Sequence, residues 1–202
     1  MNASAKRLTT VRYPCDNAQI QMDLVDANPF WHPTMLIRRD ALSVVGLYRS
    51  GIAEDYDLWL RIAERFQVAN LEAVVLKYRV HPYQISVRSC RSQALGAIAS
   101  QVAARARRSG EPDPLDGVKE ITPAVLKELG ASESVLHTAL ARQYLSCIRN
   151  MASAGESSSA LKALEELDWS DFKQAAKWAI ADFHLLWGHG CIGTSGDTGA
   201  AC

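Results

Sequence analysis

The chain has 202 residues, 48% of them hydrophobic and 22% charged, the composition of one ordinary soluble domain or of a domain with a helical appendage. Twenty-two basic residues balance twenty-two acidic ones, so no net field draws the chain to nucleic acid or to an anionic membrane. The five cysteines, Cys15, Cys90, Cys147, Cys191 and Cys202, are scattered, odd in number and never spaced C-x-x-C, which argues against a disulfide framework and a structural zinc site. "MNASAKRLTTVRYP" holds no apolar core of signal-peptide length, and charges break the longest apolar runs well short of a membrane span. A cytoplasmic setting, at most peripheral to the inner face of the membrane, is expected.

From Tyr13 to about Ser86 short apolar runs alternate with turns, whereas alanine, leucine and charge dominate from about Arg88 to Trp187. In "RRDALSVVGLY", Asp40 suits the N-cap of a short helix and Gly46 its left-handed C-terminal position. In "AEDYDLWLRIAERF", Leu58, Trp59, Ile62, Ala63 and Phe66 form one apolar stripe of a helix whose first turn carries Glu54 and Asp55. "AVVLKYRVHP" alternates with period two and predicts a strand ending at Pro82. His81 then sits at the strand's C-terminal end, where open α/β sheets place ligands.

Beyond the loop "RSGEPDPLDG", helices are predicted at about 123–130, 133–152, 157–167 and 170–187. "ARQYLSCIRNMASAGESSSALKALEEL" reads as an antiparallel helical hairpin, faintly like a tetratricopeptide unit, and serves as a packing appendage. Residues 188–202, "GHGCIGTSGDTGAAC", have the composition of a disordered tail.

Two readings of the acid pair stand side by side on these residues alone. First-turn acids offset the helix dipole and cap amide groups, so Glu54 and Asp55 need no further role. In the other reading one of the pair is a catalytic carboxylate, with His81 at the end of the next strand, but spacing alone favours the capping role. Arg61 has Asp57 and Glu64 of its own helix as ready partners.

The stretch "NPFWHPTMLIRRDALSVVGLYRSGIAEDYDLWLRIAERFQVANLEAVVLKYRVHPYQIS" resembles the second half of the catalytic domain of family 2 glycosyltransferases, inverting enzymes with the GT-A fold. The features that carry the resemblance are "HPTMLIRR", the "VGLY" turn, the "EDYDLWLR" helix start, and "YRVH" followed shortly by serine, over about residues 13–90. It implies an α/β fold: a truncated GT-A, Rossmann-like sheet portion over 1–90, then a helical appendage over 91–187 and the tail over 188–202. It also implies that Asp55 is the general base, with Glu54 supporting it, in transfer from a nucleotide-sugar donor to a hydroxyl of a glycan or lipid-linked acceptor. His81 would ligate a divalent metal, Mn²⁺ or Mg²⁺, at the diphosphate. His32 and Arg38 would face acceptor or diphosphate, and Trp59 would be either a sugar platform or core.

The chain departs from that family in lacking its first half, the strand–loop–helix unit that binds the nucleotide and carries an Asp-x-Asp metal motif. Acids stand at 54, 55 and 57, but these belong to the later motif, and the other close pair, Asp113 and Asp116, lies in the proline-rich loop. The expectation is therefore a C-terminal fragment, inactive alone, with an unpaired sheet edge and a bare apolar face open to self-association or to a missing N-terminal half. The alternative is a non-catalytic helical partner-binding or scaffold protein. A metallohydrolase built on Glu54, Asp55 and His81 is a third class, with a thin ligand set.

Overall fold

The computed structural model describes residues 9–165, apart from 50, 52 and 82, together with residue 173. Eight α-helices are seen among them: α1 (Asn17–Asp23), α2 (Arg39–Val45), α3 (Glu54–Ala63), α4 (Ile85–Arg88), α5 (Cys90–Arg108), α6 (Pro123–Glu128), α7 (Glu133–Ala154) and α8 (Ser157–Glu165). A single 3-10 turn, His32–Thr34, lies between α1 and α2. The predicted helix at 170–187 and the predicted tail lie outside the described residues, residue 173 apart.

Local chemistry sets the helix ends. Asp16 caps α1 by accepting from the Gln19 N–H at 3.0 Å, Thr122 caps α6 and Ser132 caps α7. Helix α2 begins two residues before its predicted first helical residue: Arg38 is the extended residue ahead of it, and Asp40 lies inside the first turn, accepting from the Ala41 N–H. It stops at Gly46, whose φ of 84° is open to glycine at little cost. The predicted hairpin is present, with α7 and α8 packed together through a left-handed Gly155.

Packing divides into two main apolar clusters. The first gathers Ile20 and Leu24, Phe30, and Tyr56, Leu58, Trp59, Leu60, Ile62 and Ala63 of α3, with Ala104 of α5 against them. The second joins Leu95, Ile98, Ala99 and Ala103 of α5 to Leu115, Leu126, Leu136 and Leu140. Helix α5 thus serves both. It approaches the start of α3 so closely that a Cβ on Gly96 would lie 2.4 Å from the Ala53 backbone nitrogen.

Helix α3 departs from the single stripe predicted for it, because every residue from Tyr56 to Ala63 is buried, Asp57 and Arg61 included. Two buried charges are tolerable only as a satisfied pair. Arg61 donates to Asp57 Oδ2 from Nε at 3.0 Å, with Nη2 2.9 Å from the same oxygen as an ion pair, and donates to the carbonyls of Val45 and Leu47 from Nη1 and Nη2. The same arginine therefore completes the end of α2.

The α/β expectation is overturned: no strand is formed among the described residues, and the GT-A, Rossmann-like sheet portion goes with it. Residues 74–80 run without helix or ladder, although their alternation is strand-like. The segment containing them is held beside the N-terminal region by scattered contacts. Asn70 Nδ2 donates to the Pro14 and Pro29 carbonyls, Arg12 donates to the Glu72 carbonyl, and the Trp31 and Tyr78 rings lie 4.6 Å apart. Side chains and aromatic contacts replace backbone pairing, so the period-two pattern has no sheet to be half-buried in. Leu71, Val74 and Val75 remain exposed.

Candidate active site

The start of α3 places the acid pair. No side chain caps Ala53, so the first-turn amides are left to the acids that follow. Glu54 is exposed, and Asp55, with a side chain 32% exposed, turns Oδ1 onto the Tyr56 N–H at 2.7 Å. Tyr56 anchors this end of the helix: its hydroxyl donates to the Leu24 carbonyl at 2.7 Å, and burial pushes its pKa up to about 12.

His32, from the 3-10 turn, brings Nδ1 to 3.9 Å from Asp55 Oδ2. Pro33, within the first two residues of that turn, fixes the local backbone. The other imidazole nitrogen, Nε2, lies 3.1 Å from the Tyr48 hydroxyl, and the two rings are stacked at 5.4 Å. Burial, and then the negative charges of Asp55 and Glu54, hold the Tyr48 phenol above its ordinary pKa. Tyr48 was not singled out from the sequence, although it ends the quoted "VGLY" turn. That turn, closed by Gly46 and held by Arg61, is what carries it to the acids.

Trp59 forms the floor of this group. It is 1% exposed, and its ring meets His32 and Tyr48 edge-on at 5.9 and 6.2 Å. It therefore offers no open face to a sugar and acts as the surface on which the two exposed rings rest. Arg38 is not brought to Asp55: it is a surface residue paired with Asp40 through Nε at 3.1 Å and Nη2 at 2.5 Å.

His81 lies at the end of the extended segment, where its backbone N–H donates to Gln84 Oε1. Among the described residues no group of three or more His, Cys, Asp or Glu side chains gathers to hold a metal ion. Asp57, the second acid of the chain's Asp-x-Asp, is fully buried against Arg61 and turned away from any such role. No such donor set therefore stands beside Asp55 among the described residues.

A charged network behind the acids was also unforeseen. Arg49, next to Tyr48, reaches Asp113 at 2.9 Å and Asp116 at 3.1 Å, with Nη1 3.6 Å from the buried Asp57. Asp113 also receives Arg107 at 2.6 Å, and Arg107 pairs with Glu64 at 2.7 Å. The proline-rich loop is thereby tied to both ends of α3. A shallow cleft lined by Gln21, Ala63, Glu64, Arg65, Arg107 and Arg108 lies at the C-terminal end of α3, the end opposite Asp55. Its Glu64 and Arg107 are already committed to each other.

These features define a half-exposed carboxylate held by a backbone amide, faced by an imidazole and walled by a tyrosine. Over 85 residues the chain is 34% identical to the O-antigen biosynthesis glycosyltransferase WbnJ of Escherichia coli, covering 40% of this chain and 33% of that protein. It is 35% identical over 79 residues to the amylovoran biosynthesis glycosyltransferase AmsE of Erwinia amylovora, covering 38% of this chain and 30% of that one. The chain is therefore related to glycosyltransferases of polysaccharide synthesis and spans about a third of the length of these relatives. No family model and no solved structure matches it. No helix among the described residues is long and apolar enough to cross a membrane.

Proposed function

We propose that the chain carries the acceptor-activating part of a family 2, inverting glycosyltransferase in surface-polysaccharide or glycoconjugate synthesis. Asp55 is the general base, and Glu54 supports it electrostatically. The acceptor hydroxyl oxygen attacks the anomeric carbon of a nucleotide-diphosphate sugar, and the bond to the diphosphate breaks with its electron pair leaving on the phosphate. The hydroxyl proton passes to Asp55. The observation that carries this reading is the arrangement of that carboxylate: Oδ1 is committed to the Tyr56 N–H, while Oδ2, on a side chain 32% exposed, lies 3.9 Å from His32 Nδ1.

The donor side is a separate requirement. Asp57 is sealed against Arg61 and no group of three or more His, Cys, Asp or Glu gathers among the described residues, so the chain by itself is proposed to be inactive. The test is a chimera in which this chain replaces the matched third of WbnJ, assayed for sugar transfer. Asp55→Asn should lower the rate by at least about 100-fold, the low end of what a placed general base supplies; an unchanged rate sinks the assignment. Nucleoside diphosphate binding by the chain alone, with and without Mn²⁺ and with His81→Ala as control, tests the metal role implied for His81.

A scaffold role is the alternative, favoured by the exposure of Leu36, Leu71, Val74 and Val75. A stable oligomer without nucleotide affinity, seen by sedimentation equilibrium, would select it.

A further inference from the structure

We propose that Tyr48 and His32 form a two-residue relay that positions Asp55: the Tyr48 hydroxyl donates to His32 Nε2, which leaves the imidazole proton on Nδ1, facing the carboxylate. The role follows from the reading of Asp55 as base, but the hydrogen-bond direction stands on geometry alone.

A neutral imidazole has one N–H and one bare nitrogen, so fixing one contact fixes the other. The hydroxyl lies 3.1 Å from Nε2 and Asp55 Oδ2 lies 3.9 Å from Nδ1. With the proton on Nε2, the lone pair of Nδ1 would point at a carboxylate oxygen, lone pair against negative charge. With the proton on Nδ1, the N–H dipole is set against that charge, and Nε2 becomes an acceptor that the Tyr48 hydroxyl is placed to fill. Tyr48 keeps its proton for this, because burial and the charges of Asp55 and Glu54 disfavour the phenolate. Among the described residues, the titratable groups in contact with His32 are Tyr48 at Nε2 and Asp55 at Nδ1. Its remaining ring neighbour, Trp59, is uncharged.

The rings are held for this purpose. His32 and Tyr48 stack with 27° between their planes, and both meet the buried Trp59 edge-on, which limits rotation of either ring. A distance of 3.9 Å is too long for a hydrogen bond, so the Nδ1–H acts here as a dipole that orients Oδ2. Sites of this kind shorten such contacts when ligand closes over them. His32 and Tyr48 are positioning residues, because they act through Asp55.

The tautomer of His32 tests the inference without requiring any sugar transfer. Long-range ¹H–¹⁵N correlation spectra of the full chain would be recorded at pH about 8.5, where an ordinary imidazole is neutral, with His32→Gln identifying the His32 signals by their loss. The expected result is the Nδ1–H form in the wild type. Tyr48→Phe, which keeps the ring and loses the donor, should shift the pattern to the Nε2–H form that free histidine prefers. A wild-type Nε2–H pattern, or a Tyr48→Phe variant with the wild-type pattern, would overturn the relay. Should Tyr48→Phe not fold, Asp55→Asn serves as the second variant: a smaller Nδ1–H fraction supports the relay, and an unchanged one overturns it. The chimera assay fails or succeeds independently, so loss of the base assignment and loss of the relay are distinguishable.

Discussion

Helix α3 and the segment from Val68 to His81 follow one another in the chain, and both carry strong periodic patterns, yet one is buried on every side and the other is largely bare. A helix satisfies its backbone internally, so α3 needs no other segment for its ladder of hydrogen bonds, and tertiary contacts decide how much of it is covered. A strand must find its hydrogen bonds in another segment. Val74 and Val75 have the alternation and the β-branched side chains, but among the described residues nothing pairs with them, and they stay 64% and 60% exposed. Pattern is sufficient for the first element and only necessary for the second.

The heaviest way to break the comparison is to remove what makes all-round burial of α3 tolerable. Arg61→Ala leaves Asp57 buried without the guanidinium on its Oδ2 and frees the Val45 and Leu47 carbonyls. Loss of one member of a buried pair costs about 3–5 kcal/mol, and urea unfolding monitored by circular dichroism should show it. Next comes Gly96→Ala, whose Cβ would meet the Ala53 nitrogen at 2.4 Å. Overpacking of this kind costs about 1–3 kcal/mol. Because the clash falls at the start of α3, the Tyr56 and Asp55 amide signals should move further than those of α6 or α8.

Asp113→Asn acts from the loop. Burial alone would raise the Asp113 pKa, but hydrogen bonds from Arg49, the Leu115 N–H and Arg107 outweigh it and hold the carboxyl below its ordinary value. A carboxyl with a lower pKa in the folded state stabilises fully above the unfolded value of about 4 and loses that contribution as pH falls through the folded one. The wild type should therefore lose stability on acidification below about pH 5 more steeply than Asp113→Asn. At neutral pH the variant should be weaker by about 1.5 kcal/mol, the scale of a charge-assisted hydrogen bond. Thermal melts of both proteins across that range decide it.

What could be read from the chain follows the same division. The starts of α6 and α7 were legible because Thr122 and Ser132 are local signals, whereas the predicted ends at 130 and 152 differ from the observed Glu128 and Ala154. The existence of α3 was legible, but not its full burial, since Asp57 and Arg61 look solvent-facing until Val45, Leu47 and Arg49 are known to surround them. Helix α5 was not predicted as an individual element. It packs between two clusters, so its small residues cover two faces and blur the stripe on which such predictions depend. In the site, Asp55 and His32 were within reach of motif, whereas Tyr48, Arg49 and Asp113 meet only through contacts distant in the chain.

The smallest expected effect sharpens the comparison most. Val74→Lys and Val75→Lys, singly, should each change stability by no more than about 0.5 kcal/mol, because the side chains are exposed and no ladder is lost. Leu60→Ala, in the buried stretch of α3 from Tyr56 to Ala63, should cost about 2–5 kcal/mol under the same conditions. If a valine variant costs more than about 1 kcal/mol, the difference has to come from a partner of the segment in solution, and dilution reveals its nature. A cost that disappears as protein concentration falls would mean that the extended segment pairs between copies, supplying from a second chain the ladder this one lacks. A cost that persists on dilution would place the partner within the same chain. A null effect at every concentration would leave α3 and the segment as the contrast between a pattern its surroundings complete and one they do not.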